Sequence, residues 1–215
     1  MQGTYVFTEA EISRLGVLAL VMDGSRIETK GLAVSGWKGI GTTKTITRAE
    51  GNVVYTIDDE PALDVYSHYL NINMGDDQTL AAEYPLLVMR DDGTFVLRAA
   101  MLINPDKSMV YAGTVPQGSK VQFSMPAGTE IIDFAIENLS RFKESVPNVD
   151  AVVLFSCKAR NLALGPMVED EISAIHKLWG MPLVGLFTYV EIGPTTLGRC
   201  DFHNETLSLV TLREK

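Results

Sequence analysis

The chain has 215 residues, 46% apolar and 21% charged, which is enough apolar material for a sizeable core and too much for intrinsic disorder. Eighteen basic residues against twenty-seven acidic ones leave a net charge of −9, a field that repels polyanions and so excludes general binding to nucleic acid or to an anionic membrane. No apolar run nears the length of a membrane span, and the start lacks a basic patch followed by an apolar stretch, so a soluble protein without a secretory leader is expected.

Residues 17–22 are an apolar run that predicts a buried strand, ended by the turn Asp23-Gly24. Shorter strands are predicted at 31–36 and 44–48. The β-branched and aromatic residues of 52–57 predict another, after the Glu50-Gly51 turn. A helix starts near Pro61, with Asp58, Asp59 and Glu60 at its positive end and Leu63, Tyr66 and Leu70 on one face. Beyond a polar loop at 71–78, strands at 85–89 and 94–97 flank Asp91-Asp92-Gly93. Strands at 99–103 and 108–112 flank Asn104-Pro105-Asp106, so both pairs read as hairpins. Residues 120–125 alternate like a half-buried strand, and a helix from about Thr129 carries Ile132, Ile136, Leu139 and Phe142 on one side.

The last third changes character. Residues 151–155 form a continuous apolar run, the pattern of a strand covered on both faces. The next helix begins near Pro166, with Glu169, Asp170 and Glu171 in its first turns, read as solvated and paired with the helix dipole. Val168, Ile172, Ile175 and Trp179 form its stripe and Gly180 stops it. Strands at 182–187 and 206–212 follow. The expected fold class is α/β, on the border with α+β: a mixed, largely antiparallel sheet layered with about three principal helices and a C-terminal βαβ unit.

A βαβ unit has parallel strands, so the ends of its two strands share one sheet edge with the helix N-terminus. Cys157, Arg160 and Glu191 fall at that edge, with Gly193 two residues further along the chain, and an antiparallel final strand brings His203 and Asn204 there too. Arg160 and the helix N–H groups supply positive potential and Glu191 negative, a mixed pocket that suits an amino acid. Each residue also has a plainer reading. Cys157 is a nucleophile or a small buried residue at a strand end. Arg160 holds a ligand carboxylate, or pairs with Glu191 or with the acidic start of the helix. Glu191 anchors a ligand or shapes a turn. His203 joins a Cys–His pair or is a hydrogen-bonded structural residue, and Asn204 bonds turn backbone more readily than ligand. Trp37 covers a pocket or packs, and His68 and His176 read as surface or boundary residues. Cys157 and Cys200 read as free thiols of a reducing compartment. There is no zinc-ligand spacing, phosphate loop or dinucleotide fingerprint, so no metal or cofactor is expected.

Ser156-Cys157-Lys158-Ala159-Arg160, Gly185 through Pro194, and Phe202-His203-Asn204-Glu205-Thr206 resemble the three signature blocks of the FIST C-terminal domain. Ser35-Gly36-Trp37-Lys38 and 47–52 resemble the segment that leads into it from the FIST N-terminal domain. The resemblance divides the chain into 1–59, the C-terminal part of an N-terminal-like region, and 60–215, a C-terminal-like domain, with most of the N-terminal domain outside the chain. The family usually has glycine before the signature glutamate, where this chain has Val190. If that position requires positive φ, valine disturbs the turn that places Glu191.

The resemblance implies a cytoplasmic signal-transduction sensor without catalytic residues. FIST domains occur alone, fused to bacterial signalling outputs and in eukaryotic F-box proteins, and small ligands such as amino acids are proposed for them. The expected partners are therefore a small ligand at the Cys157/Arg160/Glu191 edge, a signalling output protein and a second copy in a homodimer. Two alternatives stand beside it: a thiol-dependent enzyme using Cys157 and His203, and a protein-interaction scaffold.

Overall fold

A computed structural model of the chain describes residues 5–70, 80–195 and 198–215; the first four residues and the polar loop expected at 71–78 lie outside the described residues. Apolar and polar residues alternate over much of 38–57 and 86–125, so each segment there gains by burying one face. These segments form one antiparallel sheet, joined in the order Phe95–Arg98, Leu86–Met89, Lys120–Met125, Lys38–Glu50, Val53–Ile57, Met109–Tyr111 and Ala100–Ile103. The two end strands are separated in sequence by Ala99 alone, so the sheet curls until its ends meet. Ile46, Val54, Leu86, Tyr111 and Phe123 fill the interior with Val65 and Tyr66 of the helix Ala62–Leu70.

The second sheet is mixed, in the order Leu183–Thr188, Ala151–Cys157, Leu207–Glu214 and Ile27–Val34. Its first pair is parallel, in register from Val152 opposite Leu183 to Cys157 opposite Thr188, and the other pairs are antiparallel. The helices Glu130–Ser145 and Val168–Trp179 pack against it, with Leu139, Ile175 and Trp179 clustered on Leu32, Leu154, Leu207 and Leu209. The βαβ unit is present. Its crossover also contains a short helix, Lys158–Leu164, and a 3-10 turn, Gly165–Met167, ahead of the helix expected from Pro166. Gly180 ends that helix in the left-handed conformation at φ 67°, its N–H donating to His176 O.

Both sheets take strands from either side of residue 60, and the Ser35-Gly36-Trp37 connector joins them. Gly36 has φ +96°, and a Cβ there would lie 3.1 Å from the Cα and carbonyl oxygen of Ile131. That close passage needs glycine twice over. Trp37 is buried and its Nε1 donates to Glu83 O at 3.3 Å, so its packing reading holds, though its ring also walls a cleft.

Two expectations fail. Residues 17–22 are not a buried strand: Val17 is 96% and Val21 88% exposed, in irregular chain without a ladder partner among the described residues. An apolar run becomes a strand only when neighbouring backbone takes up its hydrogen bonds, and no described strand does so here. The acidic run of the last helix is not all solvated either, because Glu171 is fully buried. Its partner is Arg160.

Candidate functional site

Parallel pairing sets Cys157 beside Thr188. The chain then turns into a hairpin absent from the predicted elements, Glu191–Pro194 against Cys200–His203, with Glu191 opposite His203 and Gly193 opposite Asp201. Cys157 and Glu191 therefore lie at one rim with the start of the final strand. Val190 does not disturb the turn. Among the described residues the non-glycine positions with positive φ are Asp58, Asp59, Lys107 and Glu205, so valine meets no left-handed strain there.

Beneath this rim lies an acidic interior. Glu191 accepts hydrogen bonds from Thr188 Oγ1 at 2.6 Å and Thr206 Oγ1 at 2.9 Å. Burial, outweighing those two bonds and the Arg160 charge, pushes its carboxyl up to about 7. Glu205 sits in the left-handed region at φ 57°, fully buried, and neither carboxylate oxygen has a partner among the described residues. Burial first, and then the Glu191 charge, hold its pKa well above the ordinary range. Cys157 shares this environment: burial, then Glu205 and Glu191, push its thiol up to about 12.

A nucleophilic cysteine needs the opposite shift. His203 offers no rescue, because its Nε2 is engaged with Gly193 O at 2.9 Å and burial depresses its pKa. No hydrogen bond joins it to Cys157 among the described residues. The Cys157–His203 pair is therefore not assembled, and Cys157 is a buried thiol, as its plainer reading has it.

Arg160 departs from the ligand role. Its guanidinium is fully buried; Nε donates to Glu171 Oε2 at 3.1 Å, and Nη2 donates to Glu171 Oε1 and, at 3.4 Å, to Ile131 O. Nη1 donates to Ser35 O, and the group stands over the Trp37 ring, 5.6 Å from its centroid. With these partners satisfied and no solvent contact, it is a structural ion pair with the acidic start of the helix.

The open space lies one layer further out. A cleft of about 620 Å3 is bounded by the Ser35–Lys38 connector, the 92–97 hairpin, Phe134 and Asn138 of the helix Glu130–Ser145, Thr195, and the segment from Arg199 to Thr206. Its apolar walls are Trp37, Phe95, Phe134 and Leu97. Charge of both signs converges on it: Arg90 grips Asp201 bidentately at 2.8 and 2.7 Å, and Arg199 reaches Asp92 at 3.1 Å and Asp201 at 3.6 Å. The Arg90 hydrogen bonds hold the Asp201 carboxyl below its ordinary value. Lys38, at the same cleft, pairs with Glu130.

Of the expected site residues, His203 and Asn204 line this cleft. Asn204 is also a brace, as its turn-bonding reading has it: its Oδ1 accepts from Ala99 N at 3.0 Å and its Nδ2 donates to His203 O at 2.8 Å. Gly193 and Glu191 stand behind the wall, one holding the His203 ring and the other the Thr206 hydroxyl. Cys157 and Arg160 do not reach it. The charged residues that do, Arg90, Asp92, Arg199 and Asp201, escaped the sequence reading because Arg90 and Asp201 lie 111 positions apart. The one available signal was that Arg199 and Asp201 adjoin the Phe202-His203-Asn204 block.

The arrangement can hold a small molecule bearing both charges, and it brings no activated nucleophile to it. Among the described residues, no three His, Cys, Asp or Glu side chains are grouped to hold a metal ion, and no helix is long and apolar enough to cross a membrane. Comparison with protein families matches residues 62–194 to the FIST C domain and residues 1–60 to the FIST N domain. No curated protein and no solved structure matches the chain.

Proposed function

The chain belongs to the FIST family of signal-transduction sensor domains, and from that premise we propose that it senses a small zwitterionic ligand, such as an amino acid, bound in the 620 Å3 cleft. The observation that carries this reading is the meeting of two arginines and two aspartates over aromatic walls in one cleft. Arg199, half exposed and held among the described residues by exposed or long contacts, receives the ligand carboxylate. Asp92 receives the ammonium, and Phe95 and Phe134 flank the side chain. His203 and Asn204 shape the wall. Glu191, Gly193 and Cys157 support it from behind, and Arg160 holds the connector that carries Trp37. The two free thiols support a reducing, cytoplasmic setting. The division at residue 60 is kept as one between family regions, since strands from 1–59 and 60–215 share each sheet.

A thermal-shift screen over amino acids and related metabolites tests the reading. A true ligand at 100 times its dissociation constant adds about 2.7 kcal/mol of stability. Arg199→Ala, on an exposed side chain, is expected to keep the fold and weaken that response at least about tenfold, as loss of a charge-assisted hydrogen bond does. A screen without a stabilising compound contradicts the proposal.

A second reading, an interaction scaffold that forms a homodimer, is favoured by one observation. The edge strand Leu183–Thr188 is uncharged and, among the described residues, pairs on one side only, and Val184, Leu186 and Phe187 are exposed. Light scattering at rising concentration is expected to show a dimer that Leu186→Lys reduces to monomer. A wild-type monomer throughout removes this reading and leaves the ligand reading standing.

A further inference from the structure

We infer that residues 17–22 dock as a fifth strand along the open side of Ile27–Val34 of the same chain. Ile27–Val34 pairs on one side with Leu207–Glu214, from Val34 opposite Leu207 to Ile27 opposite Glu214, and no described strand takes its other side. Along its half-buried to exposed stretch, Thr29 to Gly31, the outward backbone groups therefore have no ladder partner among the described residues. Gly31 and Leu32 of this strand line a second cleft of about 440 Å3, walled by Arg141 and Phe142 of the neighbouring helix and by Pro194 and Thr195 of the hairpin. The slot has the shape an added strand needs: a ladder edge with a helix on one side and a hairpin on the other.

The occupant is named by its tether. Residues 15–22, Leu-Gly-Val-Leu-Ala-Leu-Val-Met, carry no charge and expose Leu18, Leu20 and Val21, and no described strand pairs with them. The four residues that follow already turn the chain back. Arg26 N and Ile27 N both donate to Asp23 O at 2.9 Å, and Asp23 Oδ1 accepts from Ser25 N at 2.9 Å. A four-residue loop sets Met22 opposite Ile27, Leu20 opposite Thr29 and Leu18 opposite Gly31. So short a tether gives the chain's own run an effective concentration that a second copy cannot match. In this register the run ends opposite Leu32, so it fills the second cleft and stops before Ala33, where the ligand cleft begins. The strap thereby walls the ligand cleft without entering it, and its docking does not depend on the ligand reading.

Hydrogen exchange of the full chain, read by mass spectrometry, tests this. Amides of 17–22 are expected to exchange at least about 100-fold more slowly than an unstructured peptide, equally at low and high protein concentration. Leu18→Lys/Leu20→Lys and, independently, Val17→Lys/Val21→Lys are expected to abolish that protection and leave Ala151–Cys157 protected, because all four side chains are exposed in the undocked form. Three results overturn the inference: unprotected 17–22 in the wild type, protection that appears only at high concentration and so belongs to a second copy, or protection that survives both variants.

Discussion

Replacing Arg160 by methionine is expected to destabilise the protein by about 3–5 kcal/mol, the usual penalty for leaving the other half of a buried ion pair without its partner. The stranded group is Glu171, with no exposure and, among the described residues, no other cation bonded to it. Glu171→Gln is expected to fall in the same direction, since it leaves the guanidinium buried among carbonyls alone. Arg160→Met/Glu171→Leu is expected to recover most of the loss, because two apolar side chains of similar volume remove both desolvation penalties together. Urea denaturation of the wild type, both single variants and the double variant checks this. Single variants within about 1 kcal/mol of the wild type would match an exposed pair instead. The pair also ties three segments together, since Arg160 bonds Ser35 O and Ile131 O and stacks on Trp37. Its loss should therefore loosen the connector that walls the cleft.

The second large effect is a dependence on pH. The folded protein holds the Glu191 carboxyl at about 7 against an ordinary value of 4.5. Below the ordinary value both folded and unfolded chains are protonated there, and the group contributes nothing to the balance. Between 4.5 and about 7 the unfolded chain gives up the proton first, so the folded state binds more protons and stability falls as pH rises. Above that window the full penalty is present, about 3 kcal/mol from this one group. Glu205, raised by the same burial and by Glu191 itself, acts in the same direction. Glu191→Gln keeps an oxygen for one of the Thr188 and Thr206 hydroxyls, gives the other an NH2 donor to accept from, and removes the charge. It is expected to be more stable than the wild type at pH 8 by about 2–3 kcal/mol and nearly equal to it at pH 4.5. Denaturant midpoints across that range give the comparison, and parallel wild-type and variant curves would place Glu191 in solvent.

Much of the fold was legible because it depends on local pattern. The continuous run at 151–155, the helix stripe ending at Trp179 and the Gly180 stop predict a βαβ unit, and its parallel register follows from geometry alone. Both central hairpins follow from Asp91-Asp92-Gly93 and Asn104-Pro105-Asp106. The hairpin Glu191–Pro194/Cys200–His203 was not legible, because four-residue strands interrupted by glycine and proline carry little periodicity. The run at 17–22 misled for a physical reason: apolar content shows what a segment would gain from burial, and whether a neighbour stands ready is a tertiary fact. The site was half legible. The rim was read correctly from strand direction, but a rim is not yet a cavity. Arg160 was spent on Glu171, the thiol was enclosed among acids, and the open volume formed one layer outward, where strands from distant parts of the chain meet.

The ligand cleft is read most directly through Trp37, one of two tryptophans in the chain and the one in the cleft wall. Trp179 is buried with its Nε1 unpartnered among the described residues, so Trp179→Phe breaks no hydrogen bond and leaves Trp37 as the sole emitter. Titrating that variant with the compounds that raise the melting temperature should give a saturable change in Trp37 emission that Arg199→Ala weakens at least about tenfold. Stabilisation by a compound that leaves Trp37 emission unchanged would place the binding elsewhere and contradict the account.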